Sequence, residues 1–385
     1  MTEPSSAVRA PDESRALERL AALGVLSVFD RELALALAEL GGERREAVLL
    51  GMAFASAAVQ AGHTCADIPR LAERALTDSE GQAVEGVTLP ARDAWLEALR
   101  TSPLVALDGS ADETDRPFVL DARGRLYLAR YHRYERRLAD GLLARAAEPA
   151  QPVGSESAKM SLDRLFPPED KRGALQRTAA EVFLARRLTV VSGGPGTGKT
   201  YTVSKVLAAL QEHALASGRE PYRVLLTAPT GKAAQRLGDA IRDTLEKLRL
   251  DPTKLGIPTV ASTLHRALGY QPSRPTHFRR NARSPLPDDV VVVDEASMVD
   301  LALMAKLIDA VRPDARLLLL GDKDQLASVE AGAILADIYA GRAASGRAGT
   351  GLASGLVHFT ESHRFGDDGG IAALATAVNA GDVTA

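Results

Sequence analysis

Leu188-Thr-Val-Val-Ser-Gly-Gly-Pro-Gly-Thr-Gly-Lys-Thr200 is the stretch that decides how this sequence folds. Leu188–Val191 is aliphatic or β-branched at every position, as in a strand buried on both faces. Gly193-Gly194-Pro195-Gly196-Thr197-Gly198-Lys199-Thr200 then satisfies G-x-x-x-x-G-K-[ST], and a helical pattern follows. Strand, glycine-rich loop and helix together make a phosphate cradle. Glycines let the backbone wrap closely enough for successive N–H groups to point inward, and the helix N-terminus adds positive potential. Lys199 is expected to reach the β- and γ-phosphates, and the Thr200 hydroxyl to bind Mg²⁺.

Similar apolar runs recur at Val224–Thr227, Val290–Val293 and Leu317–Leu320, with helical patterns between them. That alternation predicts βαβ units, hence an α/β domain with a parallel sheet of the P-loop, RecA-like kind over residues 159–355. Val290-Val-Val-Val293 ends in Asp294-Glu295, which places two carboxylates at the carboxyl edge of the sheet, where open α/β folds bind ligands. Asp294 is expected to hold Mg²⁺, and Glu295 to orient the attacking water. Taken alone, an apolar run followed by Asp-Glu is equally a strand end before a solvated turn. Beside the phosphate loop it reads as the second half of a nucleoside-triphosphatase.

Residues 1–150 have a different grammar. After Asp30, a candidate N-cap, Leu33, Leu37 and Leu40 trace a helical stripe, and Ala47, Leu50, Phe54 and Ala58 trace another. Phe118–Leu120 and Leu126–Leu128 flank Asp121-Ala-Arg-Gly124 as a short hairpin. Tyr134, Leu138 and Leu142 line a further helix, with Arg130, Arg133, Arg136 and Arg137 on a basic face that can be solvated or meet an acidic partner. A mostly helical N-terminal domain is expected, then a linker at 151–158 and a loop at the low-complexity segment Gly341–Gly355. His63-x-Cys65 offers too few ligands for a tetrahedral metal site and reads as a buried thiol. Trp95 reads as core.

Lys+Arg 47 against Asp+Glu 50 gives a formal charge of −3, so overall charge does not advertise a polyanion-binding protein. A single cysteine excludes a disulfide framework, and no apolar run approaches the ~20 residues of a membrane span. With no apolar signal segment in MTEPSSAVRA, a cytoplasmic protein is expected.

Further segments carry a family resemblance. Leu317–Leu320 leads into Gly321-Asp-Lys-Asp-Gln325, which resembles the segment of superfamily 1 helicases whose Gln senses the γ-phosphate. Thr227-Ala-Pro-Thr230-Gly-Lys232 resembles motif Ia, and Ser262-Thr263-Leu-His265 motif Ib. Thr360-Glu-Ser-His-Arg364 resembles motif IV, and Leu165-Phe-Pro…Gln176-Arg-Thr-Ala-Ala the adenine-reading segment. The wording of GGPGTGKT, TAPTGKAAQRL, STLHRALG, VVVDEASMVDLALM and GDKDQLASVEAGAILADI, with LGVLSVFDRELALALAEL and PFVLDARGRLYLARYHRYERRL before them, is similar to the RecD family, the alpha subunits of bacterial exodeoxyribonuclease V.

That resemblance implies an ATP-dependent 5′→3′ motor on single-stranded DNA, working with RecB-like and RecC-like subunits at double-strand breaks. It implies Lys199, Asp294, Glu295, Gln325 and Arg364 as catalytic residues and Gln176 as the adenine contact. DNA contacts would come from Thr230, Lys232, Thr263 and His265. Arg279, Arg280 and Arg283 lie in a segment, about 270–289, where this family carries a small hairpin subdomain. Nuclease chemistry would belong to the assembly, since no second carboxylate cluster suggests a two-metal centre. Residues 356–385 would open a second RecA-like domain. Motifs V and VI are missing, so the sequence is expected to be a fragment of a longer protein. The alternatives are a non-catalytic ATP-binding subunit, or a conjugative relaxase-type helicase, which two histidines before residue 200 disfavour.

Overall fold

The computed structural model describes residues 15–78, 80–148, 156–170, 173–274, 276–325, 331–345 and 351–360. They fall into two compact units. One runs to Arg136 and includes residues 331–332; the other begins at Arg137.

The first unit starts with α1 (Arg15–Ala22), α2 (Val28–Gly41) and α3 (Glu46–Gln60). The N-cap of α2 is Ser27, not Asp30. The Ser27 hydroxyl accepts from the Asp30 N–H at 3.2 Å, and the Asp30 carboxylate accepts from the Ser27 N–H at 2.9 Å. This capping box turns the helix so that Asp30, Ala34 and Ala38 face inward and Leu40 is 83% exposed. The expected leucine stripe is therefore not the buried one. Gly42, in the left-handed region at φ 67°, ends the helix.

After α3 come β1 (Ala66–Asp67), α4 (Ile68–Glu73), α5 (Arg92–Arg100), β2 (Val105–Leu107), β3 (Phe118–Leu120) and β4 (Arg125–Leu128). Among the described residues the strands form one sheet in the order β1-β4-β3-β2, with β3 and β4 the antiparallel hairpin expected around Asp121–Gly124. Trp95 on α5 is fully buried, edge-on to Phe54 at 6.1 Å, and its indole N–H donates to the Ala47 carbonyl. It is a core residue.

Glu43, between α2 and α3, is buried. It accepts from the backbone N–H groups of Arg44 and Arg45 and from two nitrogens of the Arg45 guanidinium at 2.9 and 2.7 Å. These donors hold its pKa down at about 2. A folded pKa below the ordinary 4.5 gives stability that is present above pH 4.5 and lost as pH falls toward 2. Glu43→Gln is therefore expected to cost about 3 kcal/mol in urea unfolding at pH 7. The gap from the parent should shrink to about 1 kcal/mol by pH 2.5; an equal gap at both pH values would refute this account.

The unit boundary falls within α6 (Ala129–Ala147), earlier than the expected edge at residue 150. Arg145, on its last turn, donates to the Val311 carbonyl at 2.5 Å, which ties that turn to the second unit. The expected linker at 151–158 is only partly described. Glu156–Ala158 form the start of α7 (Glu156–Leu165) rather than linker.

The second unit continues with α8 (Ala174–Ala185), β5 (Leu188–Gly193), α9 (Lys199–Ala216), β6 (Val224–Ala228), α10 (Gly231–Lys247), β7 (Ser262–Thr263) and α11 (Leu264–Leu268). Then follow β8 (Val290–Val293), α12 (Leu301–Ala310), β9 (Arg316–Gly321), α13 (Ile334–Ser345) and β10 (Leu356–Phe359). The strands form a parallel sheet in the order β10-β5-β9-β8-β6-β7, and every residue of β5, β8 and β9 is buried. This is the doubly covered α/β sheet that the apolar runs predict. Arg316 opens β9 from inside the core. It donates to the carbonyls of Phe183, Leu184 and Arg186, closing the C-terminus of α8, and burial lowers its pKa to about 10.

Two expectations change here. Leu356–Phe359 does not open a second domain: it pairs in parallel with β5 from Val190 to Gly193. A Cβ on Gly355 would stand 2.6 Å from the Leu188 carbonyl oxygen, so a glycine is what allows that approach. Residues 361–385 lie outside the described residues. The low-complexity segment is not all loop, because α13 runs to Ser345 and a 3₁₀ turn spans Gly351–Gly355.

Candidate nucleotide site and nucleic-acid face

In a parallel sheet all carboxyl ends share one edge. The turns after β5, β8 and β9 therefore meet there without any further device.

The β5 turn is Gly194–Gly198. Gly196 and Gly198 have φ of 79° and 83°, the left-handed region that glycine enters without strain. Gly193 is required for space, since a Cβ there would lie 2.8 Å from both the Phe359 Cβ and the Thr197 hydroxyl. Thr197 is buried and its hydroxyl donates to the Gly194 carbonyl at 2.9 Å, which pins the loop. Pro195 is exposed at the tip. Lys199 folds back, and its ammonium donates to the carbonyls of Gly193 and Gly194. Burial lowers the Lys199 pKa, opposed by the carboxylates of Asp322, Asp294 and Glu295.

Asp294 follows β8 and is buried at 9% exposure. Burial, then the neighbouring Glu295, raise its pKa to about 6, opposed by hydrogen bonds from the Glu295 N–H and the Thr200 hydroxyl and by the Lys199 charge. A carboxylate beside a hydroxyl is a donor set suited to a hard divalent cation such as Mg²⁺. Glu295 takes φ 52°, ψ 40°, a left-handed conformation that is costly for a residue with a Cβ. Gln325, exposed after β9, is reached from the β8 turn: the Ser297 hydroxyl donates to its Oε1 at 2.9 Å. Lys199, Thr200, Asp294 and Glu295 thus converge, with Gln325 joined to them through Ser297. Arg364 lies outside the described residues.

Beside the loop is a cavity of about 440 Å³ lined by Phe166, Pro167, Gln176, Gly198, Tyr201 and Lys205, among others. Gln176 is buried on its wall and donates to the Thr197 carbonyl at 3.3 Å. The Lys205 ammonium stands 4.8 Å from the Phe166 ring centroid and 4.6 Å from that of Tyr201. Sequence reading singled out Gln176 but passed over Tyr201 and Lys205. Their spacing of four residues on α9, just after the phosphate loop, is the signal that could have found them.

At the far end of the same edge, Thr230 and Thr263 cap α10 and α11, accepting from the N–H groups of Ala233 and Arg266. Both hydroxyls keep a proton to donate. Lys232, His265 and Arg279 are exposed, and Arg280 is half-buried with one nitrogen on the Pro285 carbonyl at 3.1 Å. The expected hairpin at 270–289 is held by isolated bridges, Tyr270 with Phe278 and Asn281 with Ser284. In the N-terminal basic face, Arg136 pairs with Asp108 and Arg137 with Asp309.

Residues 22–127 match the family described as RecBCD enzyme subunit RecD, N-terminal domain, and residues 176–331 match an AAA domain. The RecBCD enzyme subunit RecD of Mycolicibacterium smegmatis is 41% identical over 94% of this chain and 59% of its own length. That of Mycobacterium tuberculosis is 42% identical over 99% of this chain and 60% of its own length. An ATP-dependent RecD2 DNA helicase of Deinococcus radiodurans is 39% identical over 58% of this chain and 28% of its own length. The chain spans about three fifths of the two RecD proteins. Residues 22–127 thus resemble a RecD N-terminal domain and residues 176–331 an AAA domain, and along almost all of its length the chain is similar to RecBCD enzyme subunit RecD.

Proposed function

We propose that the protein is an ATP-dependent 5′→3′ DNA helicase subunit that moves on single-stranded DNA in double-strand-break repair, in the cytoplasm, with RecB-like and RecC-like subunits as partners. The observation that carries this reading is one sheet edge bearing two kinds of site. At the β5–β9 end, Lys199, Thr200, Asp294 and Glu295 gather around a glycine cradle. At the β6–β7 end, hydroxyls and cations sit on the helix starts after those strands.

A bound nucleoside triphosphate with Mg²⁺ supplies the phosphoanhydride bond whose cleavage drives movement. The 440 Å³ cavity takes the base, with Tyr201 and Phe166 as apolar walls and Gln176 as the polar reader. The loop N–H groups and Lys199 hold the β- and γ-phosphates. Thr200 and Asp294 hold the cation, and Glu295 orients the attacking water. Gln325 senses the γ-phosphate and passes its state to the β8 turn through Ser297. Arg364 approaches the γ-phosphate, as the resemblance implies. Thr230, Lys232, Thr263, His265, Arg279 and Arg280 contact the DNA backbone, which positions a strand without reading its sequence.

The test is ATP turnover by the complete protein with and without oligo-dT. At least a tenfold stimulation is expected. Turnover that ignores single-stranded DNA would overturn the motor reading, and nucleotide binding without any turnover would favour a non-catalytic subunit.

A further inference from the structure

The turn that follows β7 holds three aromatic rings that the nucleotide site does not use. His265 projects from α11, Tyr270 follows the helix-ending Gly269, and Phe278 returns antiparallel to Tyr270. Their ring centroids are mutually close: His265–Tyr270 5.4 Å, His265–Phe278 5.8 Å and Tyr270–Phe278 5.7 Å. The backbone fixes the group. The Tyr270 N–H donates to the His265 carbonyl at 2.9 Å, and the Arg279 N–H to the Gly269 carbonyl at 3.2 Å. A Cβ on Gly269 would meet the Arg279 Cβ at 2.9 Å.

A hairpin that used these rings only as a small core would bury them. Here His265 is exposed, Tyr270 is 41% exposed, and only Phe278 is half-covered, with the Lys306 ammonium 4.6 Å from its centroid. The surroundings are cationic. Arg266, Arg274, Arg279 and Arg283 are all exposed, and among the described residues none of them makes an ion pair. An apolar, π-faced surface ringed by unpaired guanidinium groups does not suit a protein core. It suits a ligand that alternates flat rings with anions, which is the chemistry of unpaired nucleotides.

We propose that His265, Tyr270 and Phe278 form a shelf on which an unpaired base of the bound strand stacks, while Arg266 and Arg279 hold the phosphates on either side of it. This rests on the reading of the protein as a single-stranded DNA motor and adds a base-face contact to what was otherwise a backbone grip. His265 then offers its ring face to the base in addition to its backbone contact. Stacking tolerates any base, so the shelf resists slippage without imposing sequence preference.

The test is fluorescence anisotropy with the complete protein, using oligo-dT and an abasic oligomer of equal length that keeps the phosphates and lacks the bases. Tyr270→Leu is expected to weaken oligo-dT binding about tenfold and to leave abasic binding within twofold, whereas Arg279→Gln weakens both alike. Tyr270→Trp keeps a ring in place and is expected to hold oligo-dT affinity at or above the parent value, which separates stacking from a folding defect. The shelf is overturned if Tyr270→Leu changes both oligomers equally or neither, or if Tyr270→Trp behaves as Tyr270→Leu. Failure of the unsubstituted protein to bind either oligomer would instead refute the DNA-motor reading, and the shelf with it.

Discussion

Lys199→Ala is expected to weaken Mg-ATP binding about a hundredfold by isothermal titration and to abolish measurable turnover in the complete protein. The ammonium rests on the carbonyls of Gly193 and Gly194, so in the free protein it helps close the loop it serves. When a triphosphate enters, the same charge can turn to the β- and γ-oxygens, exchanging two neutral acceptors for anionic ones. Hydrogen bonds to charged groups contribute about 1.5–3 kcal/mol each, which sets the hundredfold scale. Burial favours the neutral amine and lowers the Lys199 pKa, while Asp322, Asp294 and Glu295 hold the charge in place. Lys199→Arg keeps the charge but is too bulky for a loop pinned by Thr197 and Gly193, so it is expected to rescue little. Unchanged ATP affinity in Lys199→Ala would mean that the cavity beside Gln176, and not the cradle, dominates binding.

Some of this was legible in the sequence because it is local. The phosphate loop follows a strand with no charged residue, and the Val290–Val293 run ends in Asp294-Glu295. In a parallel sheet such patterns convert directly into place, since every strand's carboxyl end reaches the same edge. What was not legible depends on contacts between distant segments. Arg316 stands beside an apolar run with no local signal for its burial; it is buried because three carbonyls at the end of α8 await a donor 130–133 residues away in the chain. Leu356–Phe359 was assigned by its neighbour, the motif beginning at Thr360, although hydrogen bonds to β5 decide its membership. The Leu33, Leu37, Leu40 stripe has correct helical spacing, but the capping box at Ser27 and Asp30 sets a different rotation. Tyr270 and Phe278 are separated by eight positions and become one surface only once the hairpin closes.

Glu295→Gln is expected to lower ATP turnover about a thousandfold while leaving ATP affinity within a fewfold, because the amide keeps the shape and loses the charge that polarises water. The backbone supplies an independent check. Glu295 sits at φ 52°, ψ 40°, immediately before the 3₁₀ turn Ala296–Met298, with its N–H turned to the Asp294 carboxylate at 2.9 Å. Holding a residue with a Cβ in that region costs on the order of 1 kcal/mol or more, which glycine avoids. Selection for stability alone would place glycine or asparagine there. Glu295→Gly is therefore expected to melt at or above the parent temperature while losing turnover as fully as Glu295→Gln. Stability held or gained with activity lost is the signature of strain kept for chemistry, in which the tight turn aims the carboxylate across the cradle from Lys199. Turnover within threefold of the parent in Glu295→Gln would move the water-orienting role to another group. A lower melting temperature in Glu295→Gly would mean that the glutamate side chain stabilises the turn it occupies.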